Sequence, residues 1–195
     1  SLFMDVSLPP ALAAELHSLT GRSGPLGYYT ASPSESAAHP PLLLLHSINA
    51  AAGAHEVRPL FEHYCGSRVV YAPDLPGYGH SERSDRDYTP RLMTDAVLDM
   101  VDLIRREHGD VPVDALGVSL TSEFLSRAGN ERPAAFRSLA LVSPTALNRA
   151  TPRRGETGAT RGIPWLLRNL QRPWLGKGLF KALSSPGSVR FFLRK

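Results

Sequence analysis

The sequence predicts an α/β protein with a doubly wound, mostly parallel sheet. Short apolar runs of strand length recur along the chain, at Leu42–Leu45, Arg68–Pro73, Pro112–Val118 and Ser138–Pro144. The intervals between these runs contain stretches in which apolar residues have helical spacing. Strands that alternate with helices are typical of a parallel sheet with right-handed crossovers, and such sheets bind ligands at the carboxyl ends of their strands.

Length and composition are those of an ordinary globular protein. The chain has 195 residues, 42% of them hydrophobic and 21% charged, so one domain with a sizeable core is expected. The single cysteine, Cys65, excludes an internal disulfide. No apolar run is long enough to cross a bilayer, and the N-terminus lacks a signal-peptide pattern, so we expect a cytoplasmic location.

Local signals predict the first two elements. Leu12, Leu16 and Leu19 have helical spacing after a pair of prolines, which predicts a short helix over Pro9–Leu19. A turn-rich break follows, and Leu26–Thr30 is predicted to be a strand.

Three longer helices are predicted between the parallel strands. The first covers Ala54 to about Tyr64. The second starts after Thr89, its predicted N-cap, and continues to about Glu107. The third follows Ser119 and ends near Gly129.

The most informative stretch is the end of the run Pro112–Val118. Gly117 is followed by Ser119 and then directly by a helical pattern, as in the strand–turn–helix that exposes a nucleophilic serine. Thr121 stands where the pattern Gly-x-Ser-x-Gly has its second glycine. The alternative is that Ser119 only caps the helix after it, because serine is a common N-cap residue.

Two further segments lie at predicted carboxyl ends of strands. His46–Gly53 follows the leucine run, and Asp74–Ser81 is a glycine-rich turn. The glycines of that turn do not match a dinucleotide fingerprint, and the chain has no Gly-Lys-Ser/Thr phosphate loop, so nucleotide binding is not expected. Both segments should converge with Ser119 on one edge of the sheet.

Together these motifs resemble the α/β-hydrolase superfamily, in the order that the family uses for its third to sixth strands. The resemblance covers about residues 26–147. It implies that Ser119 is the nucleophile and that the backbone N–H groups of Ile48 and Leu120 form the oxyanion hole. Ser47 and Thr121 stand where the family usually has glycine, which adds bulk near the site.

The resemblance also suggests which residues contact substrate. His46, Asn49, Trp165 and Trp174 are the candidates. Two of them have structural alternatives: the ring of His46 could order the loop through hydrogen bonds, and the side chain of Asn49 could cap it.

The family's acid and histidine come after the serine, but here no histidine and no aspartate follow Ser119. All seven histidines precede it, and the glutamates after it are Glu123, Glu131 and Glu156. His80 is close to the expected site but is not where the family has its base. We therefore expect the 195 residues to be the N-terminal part of a hydrolase, inactive or nearly so alone.

The last quarter of the chain differs from the rest. From Ala146 to Lys195 it contains 11 Lys and Arg and a single acid, Glu156. We expect residues 1–147 to form the core, and residues 148–195 to form a basic, apolar helical lid that includes both tryptophans. Weak contact with an anionic membrane surface is an alternative for this segment, and no nucleic-acid motif is present.

The sequence thus predicts a serine hydrolase of esterase or lipase type that needs no cofactor or metal and acts on a small or medium apolar acyl ester. The alternative is a non-catalytic protein of the same fold that binds a ligand or partner in its cleft. Acyl transfer, C–C bond hydrolysis and haloperoxidase chemistry share this serine geometry and are not distinguished.

Overall fold

A computed structural model describes residues 10–37 and 39–142. These residues form six strands and three α-helices. In chain order they are β1 (Glu15–Gly21), β2 (Gly24–Ala31), β3 (Leu42–Leu45), α1 (Arg58–Tyr64), β4 (Val70–Pro73), α2 (Pro90–His108), β5 (Val113–Val118), α3 (Thr121–Glu131) and β6 (Phe136–Val142). Short 3₁₀ turns at Ala54–Val57 and Pro133–Ala135 precede α1 and β6.

The six strands form one sheet in the order β1-β2-β4-β3-β5-β6. The four strands from β3 to β6 are parallel to one another, whereas β1 and β2 run antiparallel to their neighbours. This confirms the predicted doubly wound, mostly parallel α/β architecture.

The run Leu42–Leu45 shows why the sheet is covered on both faces. Leu43 and Leu45 pack in the cluster with the buried face of α2, whereas Leu42 and Leu44 pack on the other face with Phe61 of α1. Successive side chains of a strand point to opposite faces, so four consecutive leucines can all be buried only in a strand covered on both sides.

The helix predicted over Pro9–Leu19 is wrong. Residues 15–21 are strand β1, paired residue by residue with β2 through a two-residue turn. Leu16 is 38% exposed, whereas Leu19 packs against the core on the α2 side. Burial therefore alternates with the period of a strand, and pairing with β2 overrides the leucine spacing.

The other predicted elements are found with shifted ends. Thr89 is the N-cap of α2, and its hydroxyl accepts the N–H of Leu92 at 3.1 Å. None of the described helices is long and apolar enough to cross a membrane. The expected lid, residues 148–195, lies outside the described residues.

Candidate active site

Ser119 occupies a strained turn between β5 and α3. Its φ is 58°, and it is the one non-glycine residue with positive φ in the part of the chain that is described. A left-handed backbone costs a non-glycine residue about 1–3 kcal/mol, so the surrounding structure must hold it. The side chain is partly exposed, and among the described residues Oγ has no hydrogen-bond partner.

Neighbouring backbone groups hold this turn in place. The N–H of Ser119 donates to the carbonyl of Val142 in β6 at 2.7 Å, and its carbonyl accepts the N–H of Ser122 at 3.0 Å. A Cβ on Gly117 would lie 3.3 Å from backbone atoms of Thr121 and Ser122. Strand and helix therefore pass closely here, and a side chain at residue 117 would require backbone atoms of α3 to shift by a few tenths of an ångström.

Ser119 does not cap helix α3. The N-cap residue is Leu120, and no side chain donates or accepts a capping hydrogen bond there. Ser119 therefore lies outside the helix, directly after the carboxyl end of β5, and its role as the nucleophile stays a prediction.

The two amides predicted to bind an oxyanion belong to Ile48 and Leu120. Within residues 10–37 and 39–142, neither N–H has a hydrogen-bond partner. The side chain of Leu120 is 48% exposed beside the nucleophile, and that of Ile48 is partly buried against the core. Neither amide is therefore used by an acceptor among these residues, and their role as oxyanion donors stays a prediction.

His46 has a structural role. Its ring is fully buried, Nε2 accepts the N–H of Leu75 at 2.9 Å, and Nδ1 lies 2.7 Å from the carbonyl of Ser47. These partners assign the proton to Nδ1. Burial lowers the pKa of His46, although the hydrogen bond to the Ser47 carbonyl opposes this shift. With both ring nitrogens used and no exposed surface, His46 orders the loop, as its structural alternative predicted, and its contact with substrate stays a prediction from the sequence.

The loop after β3 is held by its own polar side chains. The Oγ of Ser47 donates to the carboxylate of Glu56 at 2.7 and 2.8 Å and accepts from Nδ2 of Asn49 at 2.9 Å. Oδ1 of Asn49 accepts the N–H of Ala51 at 3.0 Å. Asn49 therefore caps the loop, as its structural alternative predicted, and its proposed contact with substrate rests on the sequence alone.

The glycine-rich turn Asp74–Ser81 braces the same edge. The buried carboxylate of Asp74 accepts the N–H of Ala54 at 3.2 Å and that of His80 at 3.0 Å. Gly79 has a φ of 48°, and a Cβ there would collide with this carboxylate. The glycine is thus required both by backbone conformation and by the close approach of Asp74.

Tyr78 is a site residue that sequence reasoning missed. Its ring packs edge-on against the imidazole of His46, with 4.9 Å between ring centroids. Burial raises the pKa of Tyr78, the charge of Glu56 raises it further, and a hydrogen bond to the backbone of Asn49 opposes both. Tyr78 therefore links the glycine turn to the loop that contains Ile48, a contact for which the sequence carries no signal.

No histidine among the described residues is hydrogen-bonded to Oγ of Ser119, so none is assigned as its base. His80, the histidine in the glycine turn, lies 3.3 Å from the hydroxyl of Tyr29 and 3.5 Å from Asp74. Trp165 and Trp174 lie outside the described residues. No group of three or more His, Cys, Asp or Glu in the described part of the chain could hold a metal ion.

Comparison with solved structures shows the same architecture in many chains. A serine hydrolase involved in carbazole degradation matches with a TM-score of 0.58 and 19% identity, over 67% of this chain and 48% of that one. The haloalkane dehalogenase DbeA from Bradyrhizobium elkani USDA94 matches with a TM-score of 0.53 and 20% identity, over 66% and 41%. A serine hydrolase without a lid from Xanthomonas campestris matches with a TM-score of 0.55 and 18% identity, over 68% and 62%.

In each case the chain spans less than two thirds of the solved structure that it matches. No curated protein matches significantly. A family model for the alpha/beta hydrolase fold matches residues 40–169, which is well over half of the chain. This chain is therefore a member of the α/β-hydrolase family.

Proposed function

We propose that the protein is a serine hydrolase that cleaves small or medium apolar acyl esters, with Ser119 as its nucleophile. One observation supports this above all others. The Oγ of Ser119 is unpartnered at a left-handed turn, and the two amides that the fold uses for an oxyanion are also unpartnered among the described residues. A serine that served only in packing would not need a strained backbone. It would also be expected to use its hydroxyl in a hydrogen bond within the protein.

The proposed reaction begins when Oγ of Ser119 attacks the ester carbonyl and loses its proton to a base. The carbonyl oxygen becomes negative in the tetrahedral intermediate, where the N–H groups of Ile48 and Leu120 stabilise it. The intermediate then expels the alcohol, which takes up the proton from the base, and leaves an acyl group on Ser119. Water hydrolyses this acyl group, which releases the acid and restores the serine hydroxyl. Residues 120–195 contain no histidine, and the base is assigned to none of them.

The apolar substrate class is inferred from what surrounds the nucleophile. Leu120 exposes nearly half of its side chain there, and partly buried Ile48 lies on the neighbouring loop. An alkyl acyl group in contact with such side chains gains about 25 cal/mol for each Å² of apolar surface removed from water. We propose that residues 148–195, with Trp165 and Trp174, add a lid that completes this pocket.

The test is hydrolysis of a series of p-nitrophenyl esters by the protein expressed from its complete reading frame. We expect Ser119→Ala to lose at least about 10³-fold in kcat, since the nucleophile is absent. Ser126→Ala is the matched control, because that hydroxyl is buried in α3 and donates only to the carbonyl of Ser122, at 2.8 Å. Equal loss in both variants, or none in either, would reject Ser119 as the nucleophile.

A second candidate function is binding without catalysis. Among the described residues no basic side chain is hydrogen-bonded to Oγ of Ser119, which favours it. In that case the complete protein would hydrolyse no ester above the rate of Ser119→Ala, while apolar acyl compounds would still raise its melting temperature.

A further inference from the structure

A buried hydrogen bond joins the turn at Ser119 to the loop after β3. The Oγ1 of Thr121 donates to the backbone carbonyl of His46 at 2.6 Å. Both residues are completely buried, with 0% of either exposed. Thr121 is the residue that replaces the family's second small glycine, so its extra side chain forms this contact and does not simply crowd the site.

The position of this bond matters because the sheet ladder has ended there. The last paired residues of β3 and β5 are Leu45 and Gly117. Both predicted oxyanion donors lie beyond that pair, where the two segments are no longer paired as strands. Among the described residues, no other side-chain hydrogen bond connects residues 46–49 with residues 119–121.

The bond also lies next to each donor along the chain. Thr121 directly follows Leu120, and His46 precedes Ile48 by two residues. On the loop side, His46 is further fixed by its own ring, which bonds to Leu75 and Ser47. A shift of the Thr121–His46 contact would therefore move one amide relative to the other.

We propose that Thr121 is a positioning residue that sets the spacing between the N–H groups of Ile48 and Leu120. This inference rests on the proposed function of those amides as the oxyanion hole. An oxyanion must lie at hydrogen-bond distance from both donors at once, so the spacing determines how well the transition state is bound. Binding of the uncharged substrate depends on it much less.

The kinetic test compares three variants of the complete protein. Thr121→Val keeps the shape and removes the hydroxyl, and Thr121→Ser keeps the hydroxyl. Thr94→Val is the matched control, because buried Thr94 makes the same kind of bond within α2, to the carbonyl of Pro90 at 2.7 Å. We expect Thr121→Val to lower kcat by about 10- to 100-fold with KM nearly unchanged, since misplaced groups cost rates of this order.

Thr121→Ser should recover most of the lost kcat, and Thr94→Val should keep the wild-type value. Affinity for an alkyl boronic acid, which becomes tetrahedral on the serine, should fall with kcat in Thr121→Val. A purely structural role would instead lower stability in both valine variants and leave kcat unchanged, which would overturn the proposal. A rise in KM that accounts for the whole loss would also overturn it, because the defect would then be in substrate binding.

A second measurement does not depend on catalysis. The crystal structure of Thr121→Val should show the amide nitrogens of Ile48 and Leu120 at a changed separation, and an unchanged separation would overturn the inference. If the wild-type protein hydrolyses no ester, the proposed function fails, but this comparison still decides whether Thr121 sets the spacing. If Thr121→Val does not fold, Thr121→Gly is used in its place, because glycine is the residue usual in the family at this position. The same results are expected for it.

Discussion

At the scale of single residues, Ser119 combines a strained backbone with a hydroxyl that has no hydrogen-bond partner among the described residues. Its φ of 58° is maintained by the hydrogen bond to Val142 and by the close packing at Gly117. A structure tolerates such strain where the geometry has a use. For Ser119, the proposed use is to keep Oγ outside the helix, at the carboxyl end of β5.

Removing this strain should stabilise the protein. We expect Ser119→Gly to raise the free energy of unfolding by about 1 kcal/mol relative to Ser119→Ala, because glycine adopts positive φ without cost. The larger entropy of an unfolded chain with glycine opposes the gain by about 0.4–1 kcal/mol. Urea unfolding of the two variants measures the difference. A glycine variant no more stable than the alanine variant would show that the turn is unstrained.

The buried ring of His46 should make stability depend on pH. Burial lowers the pKa of His46 in the folded state. As pH falls, the imidazole is therefore protonated in the unfolded chain before it is protonated in the folded protein. This contribution to stability is complete above the unfolded pKa of about 6.5 and is lost as pH falls below it. We expect His46→Gln to lose less stability than wild type between about pH 6.5 and pH 5. Urea unfolding across this pH range measures the free energy of unfolding of both proteins. If that free energy depends on pH in the same way in wild type and His46→Gln, the lowered pKa of His46 is contradicted.

The strand–turn–helix pattern predicted Ser119 as the nucleophile, and the resemblance to the α/β-hydrolases implied the roles of Ile48 and Leu120. The sequence did not reveal the Ser47–Glu56 hydrogen bonds or the packing of Tyr78 on His46, because those contacts join different turns and loops. No periodicity encodes such pairs. For the same reason, the extra side chains of Ser47 and Thr121 suggested crowding, whereas the structure gives each a hydrogen-bond partner.

At the scale of elements, the hairpin β1–β2 is attached to α2 through Asp99. This buried carboxylate accepts the N–H of Arg22 at 3.1 Å and both the N–H and the hydroxyl of Ser23, at 2.9 and 2.6 Å. Leucine spacing predicted a helix in this region because it is a local signal. A local signal does not reveal the pairing with β2 or the hydrogen bonds to Asp99, which is more than 70 positions away in the sequence.

Weakening this attachment should destabilise the fold. We expect Asp99→Asn to lower the free energy of unfolding by about 2–3 kcal/mol, because charge-assisted hydrogen bonds to a buried carboxylate are lost. Asp95→Asn, on the same helix, is the control: Asp95 pairs with exposed Arg91 at 2.7 Å and should change stability by less than about 1 kcal/mol. Thermal or urea unfolding compares them. Similar losses would show that the hairpin does not depend on Asp99.

At the scale of the whole molecule, the two edges of the sheet have different roles. The proposed site lies at the carboxyl edge, and a buried ion cluster lies at the opposite edge, where the parallel strands begin. There Asp114 binds Arg68 at 2.5 Å, Arg137 at 2.5 and 2.9 Å, and the hydroxyl of Ser138 at 2.6 Å. Arg68 also donates to the carbonyl of Pro40, which ties the starts of all four parallel strands together.

Breaking this cluster should cost stability and leave the site intact. Asp114→Asn leaves buried Arg68 short of a charge partner, so we expect a loss of about 3–5 kcal/mol. Asp102→Asn, which removes a half-exposed pair with Arg132, should cost less than about 1 kcal/mol. Urea unfolding compares the variants, and equal effects would contradict a structural role for the cluster.

The same cluster predicts loss of stability in acid. Burial raises the pKa of Asp114, but hydrogen bonds from Arg137, Arg68 and Ser138 outweigh it and hold the pKa below its ordinary value. The stabilisation is therefore present above the unfolded pKa of about 3.9 and is lost as pH falls through the lower folded value. In this pH window, the free energy of unfolding should fall more steeply with decreasing pH in wild type than in Asp114→Asn. Equal slopes in the two proteins would contradict the lowered pKa of Asp114.

The most direct test of the central claim is the site of reaction with a fluorophosphonate. The probe phosphonylates a serine, with loss of fluoride, only where the hydroxyl is activated and the oxyanion hole is formed. In the protein expressed from its complete reading frame, peptide mass spectrometry should find the adduct on Ser119, and Ser119→Ala should not be labelled. An adduct on another serine, or equal labelling of wild type and Ser119→Ala, would contradict the account.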